Sequence, residues 1–257
     1  MLQKQTILAL AALLALSGCA PSPERAQAPA GDSIDRTVLP VPEPEYPAIT
    51  ELDARKATPP PRFEVKAPSN APNVVIVLLD DFGFGQAATF GGPIEMPTLD
   101  RLAQNGLRYN AFHTTTLCSP TRTALLTGRN HHSNNAGAVM ELATAFPGNT
   151  GVRPRSVAPL AEILRLNGYS TAAFGKYHET APWEVSVSGP LDRWPTHSGF
   201  DKFYGFLGGE TNQWSPYIFD GVTKVELGHD PNYHFTTDMT NQAIAWVRHG
   251  AGRAWRR

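Results

Sequence analysis

Two kinds of hydrophobic pattern take turns along this chain. From Asn73 to Leu79 the residues Asn-Val-Val-Ile-Val-Leu-Leu form an unbroken apolar, β-branched run. Such a run predicts a strand buried on both faces, as in mostly parallel sheets. It stops abruptly at Asp80-Asp81-Phe82-Gly83. Thr98 to Gly106 predicts a short helix with Thr98 as N-cap and Gly106 as its stop, and Arg108 to His113 predicts a second strand. Ser119 to Thr127 predicts a helix with Pro120 near its first turn. Ala158 to Asn167 is amphipathic and closes at Gly168, and Tyr169 to Phe174 then predicts a strand running into Gly175-Lys176-Tyr177-His178. A last helix is expected from Thr237 to Val247, capped by Thr237 or Asp238. Strands alternating with helices indicate an α/β fold, with a mostly parallel central sheet flanked by helices.

The N-terminus has a different pattern. Lys4 precedes an apolar stretch, Thr6 to Leu16, that is short for a membrane span. It runs into Leu16-Ser17-Gly18-Cys19, which resembles a bacterial lipobox. Residues 1–19 are therefore expected to be a lipoprotein signal peptide, with Cys19 lipid-modified after cleavage; a plain secretory signal is the alternative. Residues 20–71 are rich in Pro, Glu and Ala without an apolar period and predict an extended linker, leaving 72–257 for the folded domain. The expected location is the periplasm or cell envelope, in contact with membrane only through the N-terminal lipid anchor.

Composition narrows the partners. Across 257 residues the net charge is -1, which gives no electrostatic case for binding nucleic acid or an anionic bilayer. The chain has 2 cysteines. With Cys19 acylated, no structural disulfide is available, so Cys118 is a lone cysteine in an exported protein. Just before a helix, its side chain sits near the positive end of a dipole, which favours a thiolate; the alternative is a small buried hydrophobe.

Other residues carry candidate chemistry. Asp80 and Asp81 end the first predicted strand, where open α/β sheets place ligands. Two adjacent carboxylates there suit a hard divalent cation, or else form a solvated turn. Lys176 and His178, spaced i, i+2 at a strand end, share a face. Their types suit charge neutralisation and proton transfer. His131 and His132 are expected to be loop residues lining a cleft, since adjacent histidines point apart. The aromatics in Glu179 to Glu184 and in Gly199 to Trp214 are expected to serve packing more than substrate contact.

The string Cys118-Ser119-Pro120-Thr121-Arg122, followed by Leu126-Thr127-Gly128-Arg129, reads C-x-P-x-R with a downstream L-T-G-R. Here the chain resembles the type I sulfatases, and Gly175-Lys176-Tyr177-His178 resembles their G-K-x-H element. The stretch from Glu179 to Trp214 is similar to arylsulfatase-type members. The resemblance implies an alkaline-phosphatase-like fold and a small sulfate ester as substrate. It implies that a maturation enzyme oxidises Cys118 to formylglycine, whose hydrate attacks sulfur and later releases sulfate. It implies one calcium ion held by Asp80, Asp81 and residue 118. Arg122 would steady the hydrate, while Lys176 and His178 would contact the sulfate and the leaving oxygen. Relatives with C-x-P-x-R also cleave phosphonate monoesters and phosphodiesters, so that activity is an alternative, as is a non-catalytic lipoprotein remnant.

The resemblance runs from about Asn73 to about Val247. The family's later strand, second histidine, Asp-Asn pair and further lysine have no counterpart, and Arg248 to Arg257 is basic and aperiodic. The expectation is an incomplete, C-terminally truncated domain with a partial calcium site and low activity.

Overall fold

The computed structural model describes residues 34–228 and 230–254. The signal peptide and Cys19 lie outside the described residues. Among the described residues four α-helices, α1 (Pro97–Gln104), α2 (Cys118–Thr127), α3 (Leu160–Leu166) and α4 (Phe235–Ala254), accompany four strands, β1 (Ala172–Lys176), β2 (Lys202–Phe206), β3 (Phe219–Asp220) and β4 (Thr223–Lys224). The strands form one sheet in the order β1-β2-β3-β4.

The sheet is mixed, not mostly parallel. Its longest pairing, β1 with β2, is parallel and runs from Ala172 opposite Lys202 to Lys176 opposite Phe206. The two shorter pairings, β2–β3 and β3–β4, are antiparallel. The reason is connectivity. Between β1 and β2 the chain crosses over through the Pro182–Glu184 and Pro195–His197 turns, whereas Phe219–Asp220 and Thr223–Lys224 fold back as a tight hairpin around Gly221.

β2 organises the core because its side chains alternate between faces. Phe203 packs on one side with Tyr177, Trp194, Leu207 and Phe219. Tyr204 and Phe206 pack on the other with Ile218 and Phe235. α4 covers that second face, its Phe235 ring 5.8 Å from Phe206 and its Trp246 ring 6.3 Å from Phe174. It starts earlier than expected because Phe235 fills the core. Asp238, expected as a cap, lies within the helix and accepts the hydroxyls of Tyr204 at 2.6 Å and Tyr233 at 2.9 Å. The helix also extends beyond Val247, as far as Ala254.

Gly205 permits the β1–β2 contact. A Cβ there would lie 1.9 Å from the carbonyl oxygen of its partner Gly175, so no side chain fits without moving a strand.

Two predicted strands do not form. The run from Val74 to Leu79 is extended and outward-facing, with Val75 80% exposed. A strand buried on both faces needs neighbours on both edges and helices over it; among the described residues none pairs with it. Arg108 to His113 is likewise irregular and exposed, with the Arg108 guanidinium bonded to the Thr89 carbonyl. Residues 34–71 contain no helix or strand. Arg36 nevertheless donates to the carbonyls of Asn167 and Lys66, and the Ala67 amide donates to Gly168, which lays this segment along the turn after α3.

Candidate active site

Cys118 is the first residue of α2, behind the extended N-cap Leu117, which contributes no side-chain cap. The free N–H groups of the first turn and the positive end of the dipole therefore face the space around residue 118. One turn on, Arg122 lies on the same side of the helix. Its Nη1 donates to the Lys176 carbonyl at 2.6 Å, and its Nη2 to Asp80 Oδ1 at 3.1 Å. Lys176 ends β1 and donates from Nζ to Asp80 Oδ2 at 2.8 Å. Burial pushes the Asp80 carboxyl up, but the hydrogen bonds and charges of Lys176 and Arg122 outweigh it and hold the group below its ordinary range.

His178 follows β1 in a left-handed conformation, φ 53°, uncommon outside glycine. The turn brings its ring onto α2, placing Nδ1 3.1 Å from Cys118 Sγ. On the opposite edge, Nε2 lies 2.7 Å from Glu141 Oε2. Burial lowers the His178 pKa; Glu141 opposes this, while Lys176 and Arg122 add to it.

The structure thus brings Asp80, Cys118, Arg122, Lys176 and His178 together. It leaves Asp81 exposed, at φ 52°, paired with no described side chain. His131 and His132 stack their rings at 4.3 Å. The aromatics divide: Phe203, Tyr204 and Phe206 are buried, whereas Trp183 and Trp214 stand largely in solvent.

Two carboxylates escaped sequence reasoning. Glu141 sits in the single turn Met140–Leu142, far from any motif. Glu179 directly follows His178 and is fully buried; its Oε2 accepts the Thr123 hydroxyl of α2, and its Oε1 has no partner among the described residues. Burial pushes its pKa up to about 8, against the opposing influence of Thr123, Arg153 and Arg122. Its position beside G-K-x-H was the one available signal; Glu141 had none.

Residues 72–255 match the model of a protein family described as Sulfatase. The chain belongs to the sulfatase family. An uncharacterized sulfatase of Schizosaccharomyces pombe is 34% identical over 160 residues, spanning 60% of this chain and 27% of that one. Arylsulfatase A of Homo sapiens is 35% identical over 141 residues, covering 54% and 26%. The arylsulfatase of Klebsiella aerogenes is 30% identical over 155 residues, covering 59% and 32%. This sulfatase chain therefore spans a quarter to a third of the length of these relatives. Among solved structures, the PsFucS1 sulfatase from Pseudoalteromonas sp. superposes with a TM-score of 0.52 at 21% identity, over 69% of this chain and 40% of that one. Ps i-CgsB does so at 0.53 and 23%, over 67% and 40%. These likenesses show the shared sulfatase fold.

Calcium, which the family resemblance implies, takes six to eight oxygen ligands. Here two carboxylates are at hand. Asp80 is already neutralised by Arg122 and Lys176, and no group of three or more His, Cys, Asp or Glu side chains among the described residues could hold a metal. The described residues do not complete a calcium shell.

Proposed function

We propose that this site serves hydrolysis of small sulfate esters, aryl or similar, with residue 118 as nucleophile after a maturation enzyme has converted Cys118 to formylglycine. The observation that carries the reading is His178 Nδ1 at 3.1 Å from Cys118 Sγ, with Arg122, one turn along α2 from residue 118, joined to Lys176 through Asp80. Once formed, the formylglycine hydrate would supply one hydroxyl to attack sulfur as the ester S–O bond breaks and the alcohol leaves, and a second to release sulfate as the aldehyde re-forms.

The side chains divide the remaining work. His178 takes a proton at Nδ1 from residue 118. Arg122 and Lys176 hold positive charge where sulfate charge gathers, helped by the N-terminus of α2. Asp80 fixes both cations in place. The names of the matched relatives, arylsulfatase A and arylsulfatase, support an aryl sulfate as the test substrate.

The experiment compares matched 4-nitrophenyl sulfate, phosphate and phenylphosphonate esters on the chain produced with a formylglycine-generating enzyme. The reading predicts that the sulfate is cleaved fastest. A preference for the phosphonate or phosphate would replace it with phosphorus-ester hydrolysis.

A further inference from the structure

We propose that Glu141 is the positioning residue of the active site, fixing the neutral His178 ring with its proton on Nε2 so that the Nδ1 lone pair faces residue 118. The role of His178 toward residue 118 rests on the function proposed above; the assignment of its tautomer does not.

The argument begins with donors and acceptors. An ionised carboxylate only accepts, so the Nε2···Oε2 approach of 2.7 Å requires hydrogen on Nε2. The Glu141 carboxyl is kept in that form: burial pushes its pKa up, but the hydrogen bonds from His178 and the Gly209 amide help hold it below its ordinary value. A neutral imidazole carries one ring proton, so Nδ1 is then an acceptor. At 3.1 Å from Nδ1, Cys118 Sγ is placed to donate. The proton path therefore has one direction, from residue 118 to His178.

Glu141 is itself held from two sides. The Met140 amide donates to Ser119 Oγ at 3.3 Å, tying the Met140–Leu142 turn to the first turn of α2. The Gly209 amide donates to Glu141 Oε1 at 3.2 Å. Gly209 also closes over the imidazole, since a Cβ there would lie 3.1 Å from His178 Cε1. The charged groups facing His178 are Glu141 from this turn, Lys176 from the end of β1 and Arg122 from α2. Only Glu141 among them can accept its proton.

Glutamine is the informative replacement. It has nearly the same shape but one acceptor oxygen, while two donors, the Gly209 amide and His178 Nε2, point at the pair. Once the Gly209 amide takes that oxygen, the NH2 of the glutamine side chain faces Nε2 and requires a lone pair there, moving the ring proton to Nδ1.

The test is long-range ¹H–¹⁵N correlation spectroscopy of the ¹⁵N-histidine-labelled full chain at neutral pH, with the cysteine unmodified and His178 assigned through His178→Gln. The expected wild-type pattern is protonated Nε2 and unprotonated Nδ1. Glu141→Gln should lose that pattern for His178 alone, with the tryptophan near-UV signal unchanged. Should Glu141→Gln fail to fold, Glu141→Ala serves, and the expected result is a mixture of both tautomers. A wild-type ring protonated on Nδ1, or a folded variant that keeps the Nε2–H pattern, would overturn the assignment. Because no sulfate ester enters the measurement, failure of the hydrolase reading leaves this result standing, and the reverse.

Discussion

Asp80 and Glu179 both feel the charge of Arg122, yet their surroundings drive them in opposite directions. Asp80 is partly open to solvent and paired with two cations, so it stays ionised. Glu179 is buried with one hydroxyl donor, so its pKa rises to about 8. A carboxyl raised on folding binds more protons folded than unfolded. Its contribution is thus fully present at acid pH, shrinks as pH climbs from the ordinary glutamate range, and levels off above about 8. Urea titrations from pH 5 to 8 should show stability falling by up to ~1.4 kcal/mol per pH unit from this one group. Glu179→Gln should flatten that slope, and an unchanged slope would show that Glu179 stays ionised in the fold. At this scale the sequence made Cys118, Arg122, Lys176 and His178 legible because they sit at fixed spacings within two short strings. Glu141 was illegible because it reaches the site through a turn that carries no pattern, and it is named only by what lies 2.7 Å away.

At the scale of elements, α2 and β1 were readable because each carries its own signal: a proline in the first turn for one, an apolar run after Gly168 for the other. The run from Val74 to Leu79 carried an equally strong signal and forms no strand, because hydrophobicity states a need for partners without supplying them. This contrast gives a paired prediction. Gly205→Ala forces a methyl into the Gly175 carbonyl and should cost about 3 kcal/mol or prevent folding. Val75→Ser, on an exposed side chain, should change stability by no more than about 0.5 kcal/mol. Chemical denaturation of both variants checks this; a large loss from Val75→Ser would mean that the run is buried in solution.

For the whole molecule, the sheet orders the chemistry. β1 delivers Lys176 and His178 at its carboxyl end, β2 supports it through the Gly175–Gly205 contact, and α2 meets that end with its positive terminus. The α/β class was legible from alternation alone, whereas the mixed direction of the sheet depended on a hairpin of two-residue strands too short to leave a periodic trace. The central claim is that residue 118 is the nucleophile of a sulfate ester hydrolase. Its most direct test is to vary the fraction of residue 118 converted to formylglycine, read by mass spectrometry of the Cys118 peptide, and to measure 4-nitrophenyl sulfate turnover on the same samples. The account predicts slow turnover that rises in proportion to conversion and vanishes in Cys118→Ala. Turnover independent of conversion, or none at full conversion, would contradict it.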